Sequence, residues 1–384
     1  MRIAFAANPA LGHVLPLLPL ALAARGTGHE VAFVGGSSLA ATLAAFDLTH
    51  VVAGPPDLPA VFEAIDAARL QGPRLAVAVW SLGFAEVVAR PMAHGLLELS
   101  RSWRPDVVVH EDTEQGTWIA AERLEIPHVA LQAAAWRGSM ARLSAEPAGR
   151  LRAELGLLPD PDLATWHRFG YLTTRPAALR DPADPMPERT SEIRPVPVDD
   201  DGSTSAPWLD AATGGRPRIA VTMGTVMPGR RASQLAALVD ALEPLDAEIV
   251  VALGPGLDPR PFLPRASNVR LVSYVPMSRL LPASDLVVCH AGSGTVLAAL
   301  GVGRPLVLLP QAADQPANAA ACLAAGVARV LDSEARSPEA IRAVVADAIV
   351  DPVLARNASA VREAIDAMPA PAEVVPMLEH LGRS

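Results

Sequence analysis

The sequence predicts an α/β protein of two domains, each a parallel sheet covered by helices. Three observations lead there. The chain has 384 residues, more than a single hydrophobic core organises well. Short apolar runs that read as strands alternate with helical stretches in both halves, which is the pattern of parallel sheets buried on both faces. Between the halves, Arg180 to Gly215 is crowded with Pro, Asp, Ser and Gly, so the linker falls within 180–215, with domains at 1–200 and 216–365.

The elements follow in order. Arg2 to Phe5 is an apolar strand that passes through Asn8-Pro9-Ala10-Leu11-Gly12 into a helix ending near Arg25-Gly26. Strands are expected at His29 to Val34, Val107 to His110 and His128 to Leu131, with a helix from Gly116 to Leu124. The second half opens the same way: Arg218 to Thr222 leads through Met223-Gly224-Thr225 to a helix around Ala232 to Leu242. Strands at Glu248 to Leu253, Asn268 to Ser273, Asp285 to Cys289 and Pro305 to Leu309 follow, then a helix from Gln315 to Ala325. After Asp351 the tail reads as helix, a break at Pro369 to Pro371, and a last helix over Ala372 to Leu381.

Composition removes whole function classes. A net charge of −9 with no basic run argues against a nucleic-acid surface. The apolar runs are interrupted by Pro, Gly or charge before they reach membrane-spanning length. The chain begins directly with the strand-like RIAFAA, which leaves no room for a signal peptide and leads to the expectation of a cytoplasmic protein. Two cysteines, Cys289 and Cys322, supply neither a disulfide framework nor a Cys-rich zinc site. There is no lysine, so Schiff-base chemistry and a Walker-type phosphate loop are excluded.

The segment from Cys289 to Ala319 carries the most chemistry. An apolar strand delivers His290 to a loop in which Gly292 and Gly294 let backbone approach a ligand, and Ser293 and Thr295 offer hydroxyls at a helix start. Such a start carries unpaired N–H donors and about half a positive charge, which suits a diphosphate. In parallel sheets, ligands bind beyond the carboxyl ends of strands. The Gly12-His13 loop and the 290–295 loop both lie at such ends.

With the downstream Pro310-Gln311-x-x-Asp314-Gln315, this spacing resembles the signature of family 1 glycosyltransferases, in particular bacterial enzymes that decorate polyketides and other natural products. The resemblance runs over most of the chain. It implies the GT-B fold, two Rossmann-like domains facing a cleft, with the terminal helix returning to the first. It also implies that His290 and Gly292 to Thr295 hold the diphosphate, that Asp314 and Gln315 bind donor-sugar hydroxyls, and that Val275 and Pro276 lie at the nucleobase. Gly12, Gly224 and Thr225 complete the expected ligand-contacting set.

Two departures qualify the match. Met277 stands where many relatives have Gln, which puts a base contact from that side chain in doubt. Ala298 stands where many users of UDP-sugars carry a Glu that accepts from ribose hydroxyls. Losing a charge-assisted bond costs about 1.5–3 kcal/mol when the 2′-OH is present, so a dTDP-sugar is expected over a UDP-sugar.

Gly12-His13-Val14-Leu15-Pro16 resembles the family's Gly-His-x-x-Pro, which implies that His13 is the base that deprotonates an acceptor hydroxyl. A histidine titrating near pH ~6.5 is suited to that work. The family sets an Asp behind the histidine, just after a strand like Pro105 to His110; here Glu111 and then Asp112 follow. Glu111 has the right position and one extra methylene, Asp112 the usual chemistry one residue late, and Glu111 is preferred. An inverting, metal-independent transfer follows, with no cofactor beyond the nucleotide sugar. Asp199-Asp200-Asp201 resembles a metal-binding Asp-x-Asp, but its place in the linker reads as a solvated charge run.

The rivals are a Ser-His-acid hydrolase, which lacks its Gly-x-Ser-x-Gly elbow around Ser293, and a Cys289 nucleophile on a buried strand. A sugar-nucleotide epimerase of the same architecture and a non-catalytic helper that binds a partner enzyme are the others. The expected partner is a small aglycone, polyketide or aromatic, and Phe62, Trp80, Phe84 and Met92 are candidate lining. A homodimer is compatible with the sequence.

Overall fold

The computed structural model describes residues 1–70, 72–135, 138–199, 206–210, 213–224, 228–254, 257–332 and 336–383. They form two compact units. One comprises Met1–Arg175, Asp181–Arg194 and Met368–Ser384; the other comprises Pro176–Arg180 and Pro195–Ala367.

The first unit is built on seven strands: β1 (Arg2–Ala6), β2 (Glu30–Gly35), β3 (Thr49–Val52), β4 (Val107–Glu111), β5 (His128–Leu131), β6 (Tyr171–Thr173) and β7 (Thr190–Glu192). Their order is β3-β2-β1-β4-β5-β6-β7, and every pairing is parallel. Strands buried on both faces must be apolar throughout, and the Val-Val-Val run of β4 is fully buried. The order reverses between β1 and β4, where Phe5 pairs with Val109 and Ala6 with His110. Carboxyl ends at such a switch point are where doubly wound sheets hold ligands. The chain leaving β1 there carries Asn8 and His13, and β4 ends in Glu111.

Strands β3, β6 and β7, like Ala328–Val330 in the second unit, are additions to the strands expected from the sequence. They have three or four residues each, and β7, Thr190-Ser191-Glu192, has no apolar residue at all. Pairing with β6 recruits it, which local composition does not encode.

A continuous helical run covers Gly72–Ala78, Val79–Val88 and Ala89–Ser102, the middle part wound as π-helix. Within it, Arg74–Ser102 is long and apolar enough to cross a membrane by length and composition, despite the Gly, Pro and charge that interrupt its sequence. Its Phe84, Val88, Met92 and Leu96 lie in the core of the unit. The last helix, Pro371–Gly382, packs on the helix Leu18–Gly26 of the same unit.

The second unit has six strands: β8 (Arg218–Thr222), β9 (Glu248–Ala252), β10 (Val269–Val272), β11 (Leu286–Cys289), β12 (Leu306–Leu308) and β13 (Ala328–Val330). The order is β10-β9-β8-β11-β12-β13, again all parallel. Ile219, Val221, Ile249, Val251, Leu286 and Val288 pack with Leu235, Leu238 and Leu242 of the helix Pro228–Leu242 and with Val345 of the helix Pro338–Val350. The switch point lies between β8 and β11, with Thr222 paired to Cys289. Gly224 and His290 to Gly292 therefore stand at that end.

Candidate active site

In the first unit, Ala10 is extended and Leu11–Val14 closes one helical turn, so His13 is held close to the end of β4. Its Nδ1 lies 2.8 Å from Glu111 Oε1. A carboxylate only accepts, so Nδ1 carries the hydrogen and Nε2 presents a lone pair. Glu111 is fully buried, while the His13 side chain keeps 18% of its exposure. The ring edge of Phe84 stands against the imidazole, with centroids 5.5 Å apart.

The Glu111 carboxylate takes further bonds, from Thr113 N–H at 2.7 Å, Thr113 Oγ1 at 2.8 Å and Asn8 N–H at 3.3 Å. Asn8 Nδ2 in turn donates to Thr113 Oγ1 at 2.9 Å. Neither Asn8 nor Thr113 stands out in the sequence as a site residue. Their only signal is a polar residue just past each of two apolar strands.

Asp112, the other candidate acid, is engaged elsewhere. It accepts from Ala133 N–H at 3.0 Å and from Tyr171 OH at 2.7 Å. Burial, helped by the neighbouring charge of Glu111, pushes its carboxyl up to about 7. Glu114 accepts from Gly116 and Thr117 N–H at the start of the helix Thr117–Leu124 and is likewise pushed up to about 7 by burial.

The proposed acceptor lining divides. Met92 is fully buried core, Phe62 packs partly buried beside that core, and Trp80 Nε1 donates to Ser144 Oγ at 2.8 Å. Phe84 alone of the four has a ring contact with His13.

In the second unit, His290 lies between two glycines. A Cβ added at Gly292 would stand 2.4 Å from His290 Nε2, and one at Gly224 would stand 2.6 Å from it. Gly224 also has φ +69°. These glycines therefore make room for the imidazole, a different reason from the close ligand approach expected of Gly292. A Cβ at Gly294 would meet no protein atom within 4 Å, so packing does not require glycine there. Burial lowers the pKa of His290 and keeps the ring neutral.

The helix Ser293–Gly301 starts at Gly292 with no side-chain cap. Ser293 was expected to offer its hydroxyl to the diphosphate. In the structure Ser293 Oγ donates to Asp314 Oδ2 at 2.8 Å, so the hydroxyl proton is directed to Asp314, and Ser293 reaches the helix start through its backbone. Asn318, missed in the sequence, is fully buried and donates from Nδ2 to Ala291 O at 2.8 Å, Asp314 Oδ2 at 2.9 Å and Ser293 Oγ at 3.2 Å. Its spacing of four from Asp314 at the head of a helix puts both on one face, and that signal was readable. Ala291 and Ala313 hold φ of +67° and +57°, a conformation that costs non-glycine residues about 1–3 kcal/mol and gathers at functional sites.

Gln315 Oε1 accepts from Gln311 N–H at 2.8 Å and Ala312 N–H at 3.2 Å, bracing the turn before its own helix. Val275 and Pro276 are buried, and Asp199 accepts from the next two amides, Met277 N–H at 2.9 Å and Ser278 N–H at 3.0 Å. Asp199 is thus a helix cap. Asp200, Asp201 and Thr225 lie outside the described residues. Ala298 is half-buried on the Ser293–Gly301 helix. Cys289 is fully buried, which pushes its thiol up to about 12 and removes it as a nucleophile.

Two Rossmann-type sheets in one chain, with the strand order 3-2-1-4-5-6 repeated, define the GT-B class. Over whole chains the fold matches the glycosyltransferase SnogD from Streptomyces nogalater, with 29% identity, a TM-score of 0.78, and coverage of 100% of this chain and 99% of that one. It also matches the spinosyn rhamnosyltransferase SpnG complexed with thymidine diphosphate, at 27%, 0.82, 99% and 100%. Residues 236–381 match the family described as Erythromycin biosynthesis protein CIII-like, C-terminal domain. In sequence the chain is 31% identical to tylactone mycaminosyltransferase of Streptomyces fradiae, over 96% of this chain and 90% of that one. It is also 31% identical to elloramycin glycosyltransferase ElmGT of Streptomyces olivaceus, over 98% and 97%. The chain belongs to the GT-B glycosyltransferases of antibiotic and natural-product biosynthesis, and the resemblance read from its motifs is borne out.

Proposed function

We propose that the protein moves a deoxysugar from a dTDP-sugar to a hydroxyl of a small polyketide-like aglycone, with inversion and without a metal, His13 being the general base. The observation that carries this is the buried Glu111 carboxylate on His13 Nδ1, which leaves Nε2 as the proton acceptor. Nε2 takes the acceptor's proton as its oxygen bonds to the anomeric carbon. The bond from that carbon to the diphosphate breaks, and the nucleoside diphosphate leaves with the electron pair. The rising imidazolium charge is balanced by Glu111. Asp112, bonded to Tyr171 and Ala133, takes no part in the transfer in this reading.

The first unit takes the acceptor in this reading and the second takes the donor. His290, Gly224, Thr225 and the amides at the head of the Ser293–Gly301 helix receive the diphosphate. Donors fixed before the reaction are each worth about 2.7–4 kcal/mol of barrier, which makes a divalent cation dispensable. Asp199 supports the metal-free reading, because its carboxylate already binds two amides. Gly12, Val275 and Pro276 flank the ligands, and Asp314 with Gln315 orients the sugar.

Several observations support the donor. Ala298 offers nothing to a ribose 2′-OH, a group dTDP lacks. Relatives are named for mycaminosyl, desosaminyl and 2-deoxy-L-fucose transfer, and one similar structure holds thymidine diphosphate. The test is a screen of dTDP- and UDP-sugars by thermal shift, followed by turnover of the best donor with a panel of aromatic and macrocyclic aglycones. A glycosylated product from a dTDP-sugar, formed equally well in EDTA, is expected. Equal or better kcat/KM with the matching UDP-sugar, or loss of activity in EDTA with recovery in magnesium, would overturn the corresponding part.

A further inference from the structure

Glu111 is held by more than His13. Its two oxygens lie 2.8 Å from the single hydroxyl of Thr113, and one lies 2.7 Å from the Thr113 amide. Thr113 Oγ1 also stands 3.2 Å from His13 Nδ1. A hydroxyl in that place has two options: it gives its proton to Glu111, or it turns and competes with Glu111 for the Nδ1 hydrogen. Asn8 decides between them. Its Nδ2 donates into Thr113 Oγ1 at 2.9 Å, which fills a lone pair and directs the O–H at the carboxylate. Asn8 is fully buried beyond the end of β1, and its amide N–H reaches Glu111 at 3.3 Å. Its Oδ1 is buried without a partner, a cost of about 1–3 kcal/mol for a group so left. A flipped amide would place that oxygen at Thr113 and draw the hydroxyl proton away from Glu111. The orientation that sacrifices Oδ1 is the one that serves the carboxylate.

We propose that Asn8 and Thr113 are positioning residues of the transfer, forming a relay from Asn8 Nδ2–H through Thr113 O–H to Glu111 that locks His13 with its proton on Nδ1. This rests on His13 being the base. Asn8 and Thr113 are buried and act through Glu111.

The test uses the full chain with isotope-labelled histidine, and three variants. In the wild type, 15N spectra of the His13 ring are expected to show Nδ1 protonated and Nε2 bare. Thr113→Val, which keeps shape and loses the hydroxyl, is expected to mix the two tautomers. It should lower kcat by about 10- to 100-fold, the range for losing a hydrogen-bond partner that orients a metal-binding histidine, with KM for the nucleotide sugar unchanged. Asn8→Asp, which can only accept from Thr113, should behave in the same way. Thr113→Ser should recover kcat to within about threefold of wild type and restore the tautomer, as a side chain with the same donor would. Wild-type kcat in Thr113→Val, or Thr113→Ser no better than Thr113→Val, overturns the relay. Should Thr113→Val fail to fold, the wild-type spectrum decides, and an Nε2-protonated ring overturns it. His13→Ala separates the two claims. Full turnover there removes the base and the relay together, whereas an inactive His13→Ala beside a fully active Thr113→Val removes the relay alone.

Discussion

Glu111→Gln keeps the side chain's shape and removes its charge, and the surrounding donors make both orientations of the new amide unfavourable. With Oε1 facing His13, Nε2 takes the place of the oxygen that accepted from Thr113 N–H at 2.7 Å. A buried amide donor then faces another donor, at a cost of about 1–3 kcal/mol. With Nε2 facing His13 Nδ1, the imidazole must carry its proton on Nε2, and the lone pair needed for base catalysis is gone. In the first orientation the loss to the reaction is one charge-assisted bond to the imidazolium, about 1.5–3 kcal/mol, or roughly 10- to 150-fold at about 1.36 kcal/mol per decade. In the second it approaches the wrong-tautomer limit, on the order of 10⁴. The assay is nucleoside diphosphate release with saturating donor and acceptor, beside a thermal melt. Turnover at least ~10-fold lower is expected, with Tm reduced by about 2–4 °C for each kcal/mol lost in a unit of this size. Turnover within about twofold of wild type at an unchanged Tm would show that the Glu111 charge does not assist His13.

Two other predictions follow from the same geometry. Gly292→Ala puts a Cβ 2.4 Å from the His290 ring, whereas Gly294→Ala meets no protein atom within 4 Å. The first is expected to lower stability by about 1–3 kcal/mol through overpacking. The second should leave Tm equal or higher but weaken dTDP binding in calorimetry; a strong destabilisation by Gly294→Ala would contradict the assignment of that open space to the ligand. Asp112→Asn concerns pH. Its carboxyl is pushed up to about 7 in the fold, from about 3.8, so the folded state binds the extra proton and the contribution of this group to stability falls as pH rises from about 4 through about 7. Glu114 acts in the same sense and the buried His110, His128, His167 and His290, whose pKa values are lowered, in the opposite one, so the Tm of the Asn variant relative to wild type should rise across pH 4–8, while turnover changes little. An unaltered pH profile of Tm would show that Asp112 does not titrate there.

Much of the fold and part of the candidate site are legible in the amino-acid sequence. Apolar strands followed by Asn8 to His13 and by His290 to Thr295 mark both loops as strand ends, and both lie at switch points. The choice between Glu111 and Asp112 is less legible, because it depends on where β4 ends. The strand runs through Glu111, and successive residues of a strand face opposite ways, so His110 meets His128 while Glu111 meets His13. The role of Gly292 is hidden for a related reason. The sequence shows a tight turn, but the need for it comes from the His290 ring packed between the ends of β8 and β11. Ser293, 21 residues from Asp314, shows the same limit: a hydroxyl at a helix start reads as a phosphate ligand until the fold brings a carboxylate to it.

In the proposed transfer His13 removes a proton and takes no part in holding the nucleotide. Calorimetry of dTDP binding to His13→Ala, together with its turnover, tests both halves at once. Wild-type affinity for dTDP is expected, with transfer lost by about 10²- to 10⁴-fold, the range of general-base catalysis. Transfer at the wild-type rate, or a loss explained wholly by weaker dTDP binding, would contradict this role of His13.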